Sequence, residues 1–178
     1  DALQAFAFKV LSGDELIDSN TKVNLLNLLS ASSYEMADGQ SIDLSIVSKE
    51  VDIDLLNNMH KKKTGALISC AVKFGVLLNP SISQKDSKIL ANFASKVGLA
   101  YQVQDDVLDI TTSDDVLGKR QNSDASKGKP SYPSILGLED SIKIYKCLYE
   151  DALDKISGLS VDEEPLRELT IKLMQRSF

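Results

Sequence analysis

Three aspartates in one short stretch are the residues of this sequence best suited to chemistry. The stretch reads YQVQDDVLD and covers residues 101–109. On a helix with about 100° per residue, Asp105, Asp109, Gln102 and Asp106 lie at about 0°, 40°, 60° and 100°. Like charges at this spacing repel each other, so a compensating cation is expected. Mg²⁺ fits, because it accepts one or two carboxylates and shares its other positions with water and phosphate oxygens. The alternative for so short an acidic pattern is a solvated helix face.

Lysines next to glycines supply the opposite charge. Lys61-Lys62-Lys63-Thr64-Gly65 interrupts a helical pattern, and Gly118-Lys119-Arg120 and Gly128-Lys129 lie in an irregular segment. Lysine is a point charge suited to phosphate, and glycine lets a backbone approach closely. Each lysine taken singly is more commonly solvent-exposed. Together with the acids, however, the lysines predict a site for a diphosphate and its magnesium.

The elements that position these residues are predicted to be helices. Apolar residues recur at steps of three and four, and no alternating strand pattern of useful length is visible. We therefore predict an all-α single domain over residues 1–178, built from about six helices. The predicted helices cover a stripe from Leu3 to Leu11, a second helix ending near Asp38-Gly39, and Ile53 to Leu78, Ser83 to Ile110, Ile135 to Ile156 and Pro165 to Arg176. The stretch from Thr111 to Pro133 is predicted to be irregular.

Composition narrows the functional classes. The 178 residues are 43% hydrophobic and 26% charged, with a net charge of −6, which indicates a globular protein and argues against broad nucleic-acid binding. No apolar run approaches the roughly 20 residues of a membrane span. Cys70 and Cys147 are far apart, so we expect two reduced thiols in the core of a cytoplasmic protein. Because an amphipathic pattern is already running at Asp1, we expect a piece of a longer protein.

Four linked segments resemble the short-chain trans-prenyl diphosphate synthases, most of all the bacterial farnesyl diphosphate synthase (geranyltranstransferase) type. They are GQSIDL (39–44), HKKKTGAL (60–67), YQVQDDVLDI (101–110) and LGKRQNSDASKGKPSYPSILGL (117–138). Their order and spacing agree with the family over essentially the whole chain. The resemblance implies an all-α, isoprenoid-synthase-type helical bundle, of which this chain is the C-terminal portion. It also implies a homodimer that condenses an allylic diphosphate with isopentenyl diphosphate, using Mg²⁺.

The resemblance further implies a role for each matching residue. Asp105, Asp106 and Asp109 correspond to the second aspartate-rich motif, which binds the allylic diphosphate through Mg²⁺. The remaining correspondences are Lys119 and Lys129 as diphosphate contacts, Lys63 and Thr64 at the leaving group, Gln102 near the allylic cation, Gln40 and Asp43 in the substrate cavity, and Arg176 as a cover for the homoallylic diphosphate.

One departure from the family pattern limits what this chain is expected to do. The family uses two facing aspartate-rich clusters, and no second cluster occurs in these 178 residues. We therefore expect the polypeptide alone to be inactive or nearly so. Two other hypotheses remain: a class I terpene synthase, which the glycine-lysine pairs and the HKKKTG run disfavour, and a non-catalytic helical homologue acting as a regulatory or interaction module. His60, as a single histidine, is expected to be structural rather than a metal ligand.

Overall fold

The computed structural model describes residues 2–111 and 128–176, and within them every regular element is a helix, which confirms the all-α prediction. The elements are α1 (Ala2–Gly13), α2 (Ser19–Ser45), α3 (Ile53–His60), a π-helical turn (Lys61–Gly65), α4 (Ala66–Leu78), α5 (Gln84–Thr111), α6 (Tyr132–Leu136), α7 (Leu138–Ile156) and α8 (Glu164–Met174). None of these helices is both long and apolar enough to cross a lipid bilayer.

Short polar side chains mark the beginnings of several helices. The carboxylates of Asp18 and Asp52 accept backbone N–H bonds at the starts of α2 and α3. At α5, Ser83 Oγ accepts the N–H of Asp86 at 3.0 Å and donates to its carboxylate at 2.6 Å. These contacts satisfy N–H groups that have no partner inside the helix. The predicted start of the fourth helix near Ser83 is therefore confirmed.

The core is arranged around α5. One side of α5 packs against α7, and the buried cluster between them contains Phe93, Val97, Ala100, Tyr149, Ala152 and Ile156. Further along α5, a second cluster joins it to α3 and α6 through Ile46, Leu56, Met59, Val103 and Tyr132. Val107 is buried as well. These buried residues fix the orientation of α5 and therefore of the acidic turn.

Two predicted helix boundaries were wrong. The second helix continues past Gly39 to Ser45, because Gly39 lies against a neighbouring backbone instead of ending the helix. The segment from Ile135 to Ile156 is divided into α6 and α7 at Gly137, whose φ of 86° is a conformation that glycine adopts readily.

The predictions for the segment from Ile53 to Leu78 and for the two cysteines were correct in part. The segment from Ile53 to Leu78 is helical throughout, but the KKKTG run forms a π-helical turn that separates α3 from α4. Cys70 is buried, as expected for a core thiol, whereas Cys147 is exposed on α7, so its assignment to the core was wrong.

Candidate functional site

The π-helical turn lies between α2 and α5, with a glycine at each contact. A Cβ atom on Gly39 would lie only 2.2 Å from the backbone nitrogen of Lys63. On the other side, a Cβ atom on Gly98 would lie 3.1 Å from Cα of Gly65. Single π-helical turns within α-helices are frequent at functional sites. Backbone packing against two helices therefore fixes the segment that carries Lys63 and Thr64.

Asp43 brings together two lysines that are far apart in the sequence. Its Oδ2 accepts hydrogen bonds from Lys63 Nζ at 2.8 Å and from Lys129 Nζ at 3.2 Å. Burial raises the pKa of the Asp43 carboxyl, but the hydrogen bond and charge of Lys63, with those of Lys129, outweigh this effect and lower the pKa below its usual value. Asp43 is therefore an ionised carboxylate that holds two ammonium groups at one point.

The other residues predicted near this cluster differ in exposure. Gln40, on the same helix as Asp43, is exposed, and Thr64 is half-buried in the π-helical turn. Lys62 forms an ion pair with Asp38 on α2, at 2.5 Å from its carboxylate. That ion pair is a second charged contact between α2 and the π-helical turn, in addition to the one between Asp43 and Lys63.

The three aspartates of α5 have different surroundings. The side chain of Asp105 is 48% exposed and lies 3.3 Å from a guanidinium nitrogen of Arg176. That guanidinium also stacks over the ring of Tyr101, with Cζ 4.1 Å from the ring centroid. The side chain of Asp106 is 14% exposed, and Asp109 is buried. The three carboxylates, which the helical angles place within about 100° of one another, therefore differ in exposure.

Asp106 points toward α3 and α6. Its Oδ2 accepts the backbone N–H of Tyr132 at 2.9 Å and lies 3.4 Å from Nε2 of His60. Across residues 2–111 and 128–176, no three carboxylate, histidine or cysteine side chains converge into a metal-ligand set. Mg²⁺ commonly uses only one or two carboxylates and completes its octahedron with phosphate oxygens and water. The carboxylate of Asp105 suits that mode, in which the cation and a diphosphate bind together.

Short links in the chain join the Asp43 cluster to the acidic turn. Lys129 contacts Asp43, whereas Tyr132, three residues later, contacts Asp106. Three residues of fully extended chain span at most about 11 Å. The structure therefore brings Lys63, Lys129, Asp43 and the acidic turn into one region. Lys119 lies outside the described residues.

Sequence reasoning missed Gln104, which is fully buried on α5. Its Nε2 donates to the carbonyl oxygens of Met174 and Arg176 at 3.1 and 3.3 Å, and its Oε1 accepts from the hydroxyl of Tyr149 at 3.0 Å. The sequence does contain a sign of its role, because Gln104 lies beside Val103 on the apolar side of α5. A polar side chain buried there requires hydrogen-bond partners. Gln104 connects the segment after α8 to α5, close to where Arg176 meets Asp105. Gln102, the predicted site residue, is half-buried one turn before Asp106.

Comparisons with known proteins agree with one another. A family model described as polyprenyl synthetase matches residues 1–158. The farnesyl diphosphate synthase of Escherichia coli K12 is 36% identical over 184 residues, which cover 99% of this chain and 62% of that protein. A geranylgeranyl diphosphate synthase of Cyanophora paradoxa is 38% identical over 160 residues, covering 88% of this chain and 53% of that protein.

Solved structures show the same similarity. A geranyltransferase from Helicobacter pylori, complexed with magnesium and isoprenyl diphosphate, matches with a TM-score of 0.82 at 30% identity. The match covers 98% of this chain and 57% of that one. A farnesyl-diphosphate synthase homologue from Marinomonas gives a TM-score of 0.80 at 32% identity and covers 98% and 60% of the two chains. The chain thus spans less than two thirds of the length of these relatives.

Proposed function

This chain belongs to the polyprenyl synthetase family, and from that membership and its site geometry we propose that it supplies the diphosphate-binding part of a prenyltransferase. The substrates are an allylic diphosphate, such as the dimethylallyl or geranyl compound, and isopentenyl diphosphate. The relatives at 36% and 38% identity are named as farnesyl and geranylgeranyl diphosphate synthases. A farnesyl product is our proposal, on the strength of the several bacterial relatives that bear that name.

The observation that carries the proposal is the meeting of Lys63 and Lys129 on one oxygen of Asp43. Two ammonium groups, 66 positions apart in the sequence and directed at one point, can hold a dianionic group in a fixed place. A diphosphate is such a group, and it can take both lysines from Asp43 as it binds. Lys119 is proposed as a further contact to the same diphosphate.

The reaction begins when the allylic carbon–oxygen bond breaks heterolytically, so that the electron pair stays on the diphosphate and the carbon becomes positive. Lys63 and Lys129 stabilise the charge that develops on the diphosphate, because they are already in place before the bond breaks. The double bond of isopentenyl diphosphate then forms the new carbon–carbon bond. Loss of a proton from the resulting cation restores a double bond, and the departing diphosphate can accept that proton.

Neutral dipoles suit the positive carbon better than a base does. We propose that the hydroxyl of Thr64 and the amide of Gln102 face that carbon and stabilise it without capturing it. Gln40 is proposed to line the substrate cavity with Asp43. Arg176 is proposed to cover the homoallylic diphosphate, and its contacts with Asp105 and Tyr101 place it beside the acidic turn.

Mg²⁺ is the proposed cofactor, with Asp105, Asp106 and Asp109 as the residues predicted to hold it. When bound, the ion supplies Lewis-acid stabilisation of the diphosphate oxygens. The likeness to a structure that is complexed with magnesium and isoprenyl diphosphate supports this assignment. Among the three carboxylates, that of Asp105 is the most exposed.

Three further proposals concern the protein as a whole. We propose that residues 1–178 form one domain, that the full prenyltransferase is a cytoplasmic homodimer, and that this chain alone turns over its substrates little. The last proposal rests on the single aspartate-rich cluster in these 178 residues. Radiolabel incorporation from isopentenyl diphosphate and geranyl diphosphate measures it, and robust turnover by this chain would contradict it.

Thermal unfolding of the chain with Mg²⁺ and inorganic diphosphate tests the proposed function. A ligand at about 100 times its Kd stabilises by about 2.7 kcal/mol, which raises Tm by about 5–11 °C for a domain of this size. We expect this rise only when both ions are present, and we expect Lys63→Met and Asp105→Asn to lose most of it.

Lys143→Met is the matched control, because Lys143 is an exposed lysine paired with Asp140 on α7, outside the proposed site. It should keep the full rise in Tm. A rise that persists in Lys63→Met and Asp105→Asn, or the absence of any rise in the unmodified chain, would instead favour a non-catalytic interaction module.

A further inference from the structure

Asp106 lies between two residues from different helices, and one of them donates a hydrogen bond to it. On one side, its Oδ2 accepts the backbone N–H of Tyr132, the first residue of α6. On the other side, the same oxygen lies 3.4 Å from Nε2 of His60, the last residue of α3. One carboxylate oxygen of α5 therefore meets both helices that flank it.

The two residues beside Asp106 also contact each other. The rings of His60 and Tyr132 stack with an interplanar angle of 17° and centroids 5.9 Å apart. Both residues are buried, and the hydroxyl of Tyr132 donates a hydrogen bond to Oδ1 of Asn57 on α3. Neither ring nitrogen of His60 has a hydrogen-bond partner within the described residues, and the carboxylate of Asp106 lies 3.4 Å from Nε2 of this buried ring.

The same two segments also carry the lysine pair. His60 precedes Lys63 by three residues, and Tyr132 follows Lys129 by three residues. His60 and Tyr132 contact Asp106 on α5, whereas Lys63 and Lys129 contact Asp43 on α2. Two short links thus connect the acidic turn to the lysine pair, and both begin at Asp106.

We infer that His60 is a positioning residue which, through Asp106, sets the distance between the acidic turn of α5 and the lysines that bind the diphosphate. This inference rests on the proposed function. The Oδ2 of Asp106 then fixes the acidic turn, while the side chain of Asp105 is the more exposed of the two neighbouring carboxylates. His60 itself contacts neither cation nor diphosphate.

Calorimetric titration with inorganic diphosphate in the presence of Mg²⁺ tests this role. His60→Phe keeps an aromatic ring to stack on Tyr132 but removes the nitrogen that faces Asp106. We expect it to weaken binding about tenfold, with Tm of the ligand-free chain close to that of the parent. His60→Gln places an amide near the position of Nε2 and should recover most of the lost affinity.

Asp86→Asn is the matched control, because Asp86 lies on the same helix, 20 residues and about 30 Å from Asp106. It should lower Tm without changing the affinity for diphosphate. If His60→Phe binds diphosphate as tightly as the parent while Asp105→Asn does not, the positioning role is wrong although the proposed function stands.

A second measurement does not depend on the ligand. Hydrogen exchange of the Tyr132 amide should become at least about tenfold faster in Asp106→Ala, because the carboxylate that accepts this N–H is gone. Unchanged exchange would overturn the inference. If the parent chain fails to bind diphosphate at all, the proposed function fails, and the inference, which rests on it, fails as well.

Discussion

Replacing Gly39 with alanine tests the packing that places Lys63. Helix α2 passes the π-helical turn so closely that a Cβ atom on residue 39 would lie 2.2 Å from the nitrogen of Lys63, 2.7 Å from its Cα and 2.8 Å from the carbonyl carbon of Lys62. All three are backbone atoms within helical structure. No side-chain rotation relieves these contacts, so α2 and the turn must move apart.

Two effects of opposite sign determine how much Gly39→Ala changes the free energy of unfolding. Alanine is favoured over glycine inside a helix by about 1 kcal/mol. Non-bonded carbons are optimally about 3.5–4.0 Å apart, so relief requires a movement of about 1 Å, and overpacking of this kind costs about 1–3 kcal/mol or more. We take the upper figure for overpacking, about 3 kcal/mol, because the contacts are with backbone. After the gain from alanine is subtracted, we expect the free energy of unfolding to fall by about 2 kcal/mol and Tm to fall by about 4–8 °C.

The assay is thermal unfolding of Gly39→Ala beside Gly75→Ala. Gly75 lies within α4, and a Cβ atom placed there would have no atom within 4 Å. That variant should therefore gain stability, by up to about 1 kcal/mol. Gly39→Ala should also bind magnesium diphosphate more weakly, because Lys63 moves away from Asp43. The reasoning is refuted if both variants gain stability, or if Gly39→Ala binds diphosphate as the parent does.

Three more results are expected. Hydrogen bonds from Ser160 and Ser83 hold the pKa of Asp86 at about 2, so the stabilising effect of this carboxylate is complete above about pH 4 and is lost as pH falls toward 2. Asp86→Asn should therefore make the urea midpoint depend less on pH over that range. An unchanged pH dependence would contradict the assignment. Lys129→Met should raise the pKa of Asp43 toward its usual value, which NMR titration of the carboxyl carbon measures. An unchanged pKa would mean that Lys63 alone lowers it. Gln104→Leu should cost about 1–3 kcal/mol by leaving a buried tyrosine hydroxyl without its acceptor, and an unchanged Tm would show that this network contributes nothing.

Periodicity predicted most of the fold because its helices have one face directed at a shared core. The residues of α5 show this clearly: the buried positions recur at helical spacing, and the predicted start at Ser83 is where the structure places the cap. The end of the second helix was wrong because a backbone contact, rather than a side-chain pattern, decides the structure there. Gly39 resembles a helix end in sequence, but it is a contact between two helices.

The candidate site was predictable in composition but not in geometry. Residue types and spacing indicated Asp105 and Lys63, since acids and lysines near glycines are typical of phosphate chemistry, and the family resemblance indicated Asp43. They could not show that Asp106 turns away toward His60 and Tyr132, because that contact depends on where α3 and α6 pack against α5. Local patterns do not encode the relative placement of segments 26 or more residues apart.

A crystal structure of this chain with Mn²⁺, as an anomalous substitute for Mg²⁺, and diphosphate tests the central claim most directly. We expect an anomalous peak about 2.1–2.2 Å from a carboxylate oxygen of Asp105, with diphosphate oxygens within about 3.2 Å of Lys63 and Lys129. Asp43 should then have released at least one of its two lysines. A metal bound elsewhere, or both lysines still on Asp43 with diphosphate absent from the region between them and α5, would contradict the account.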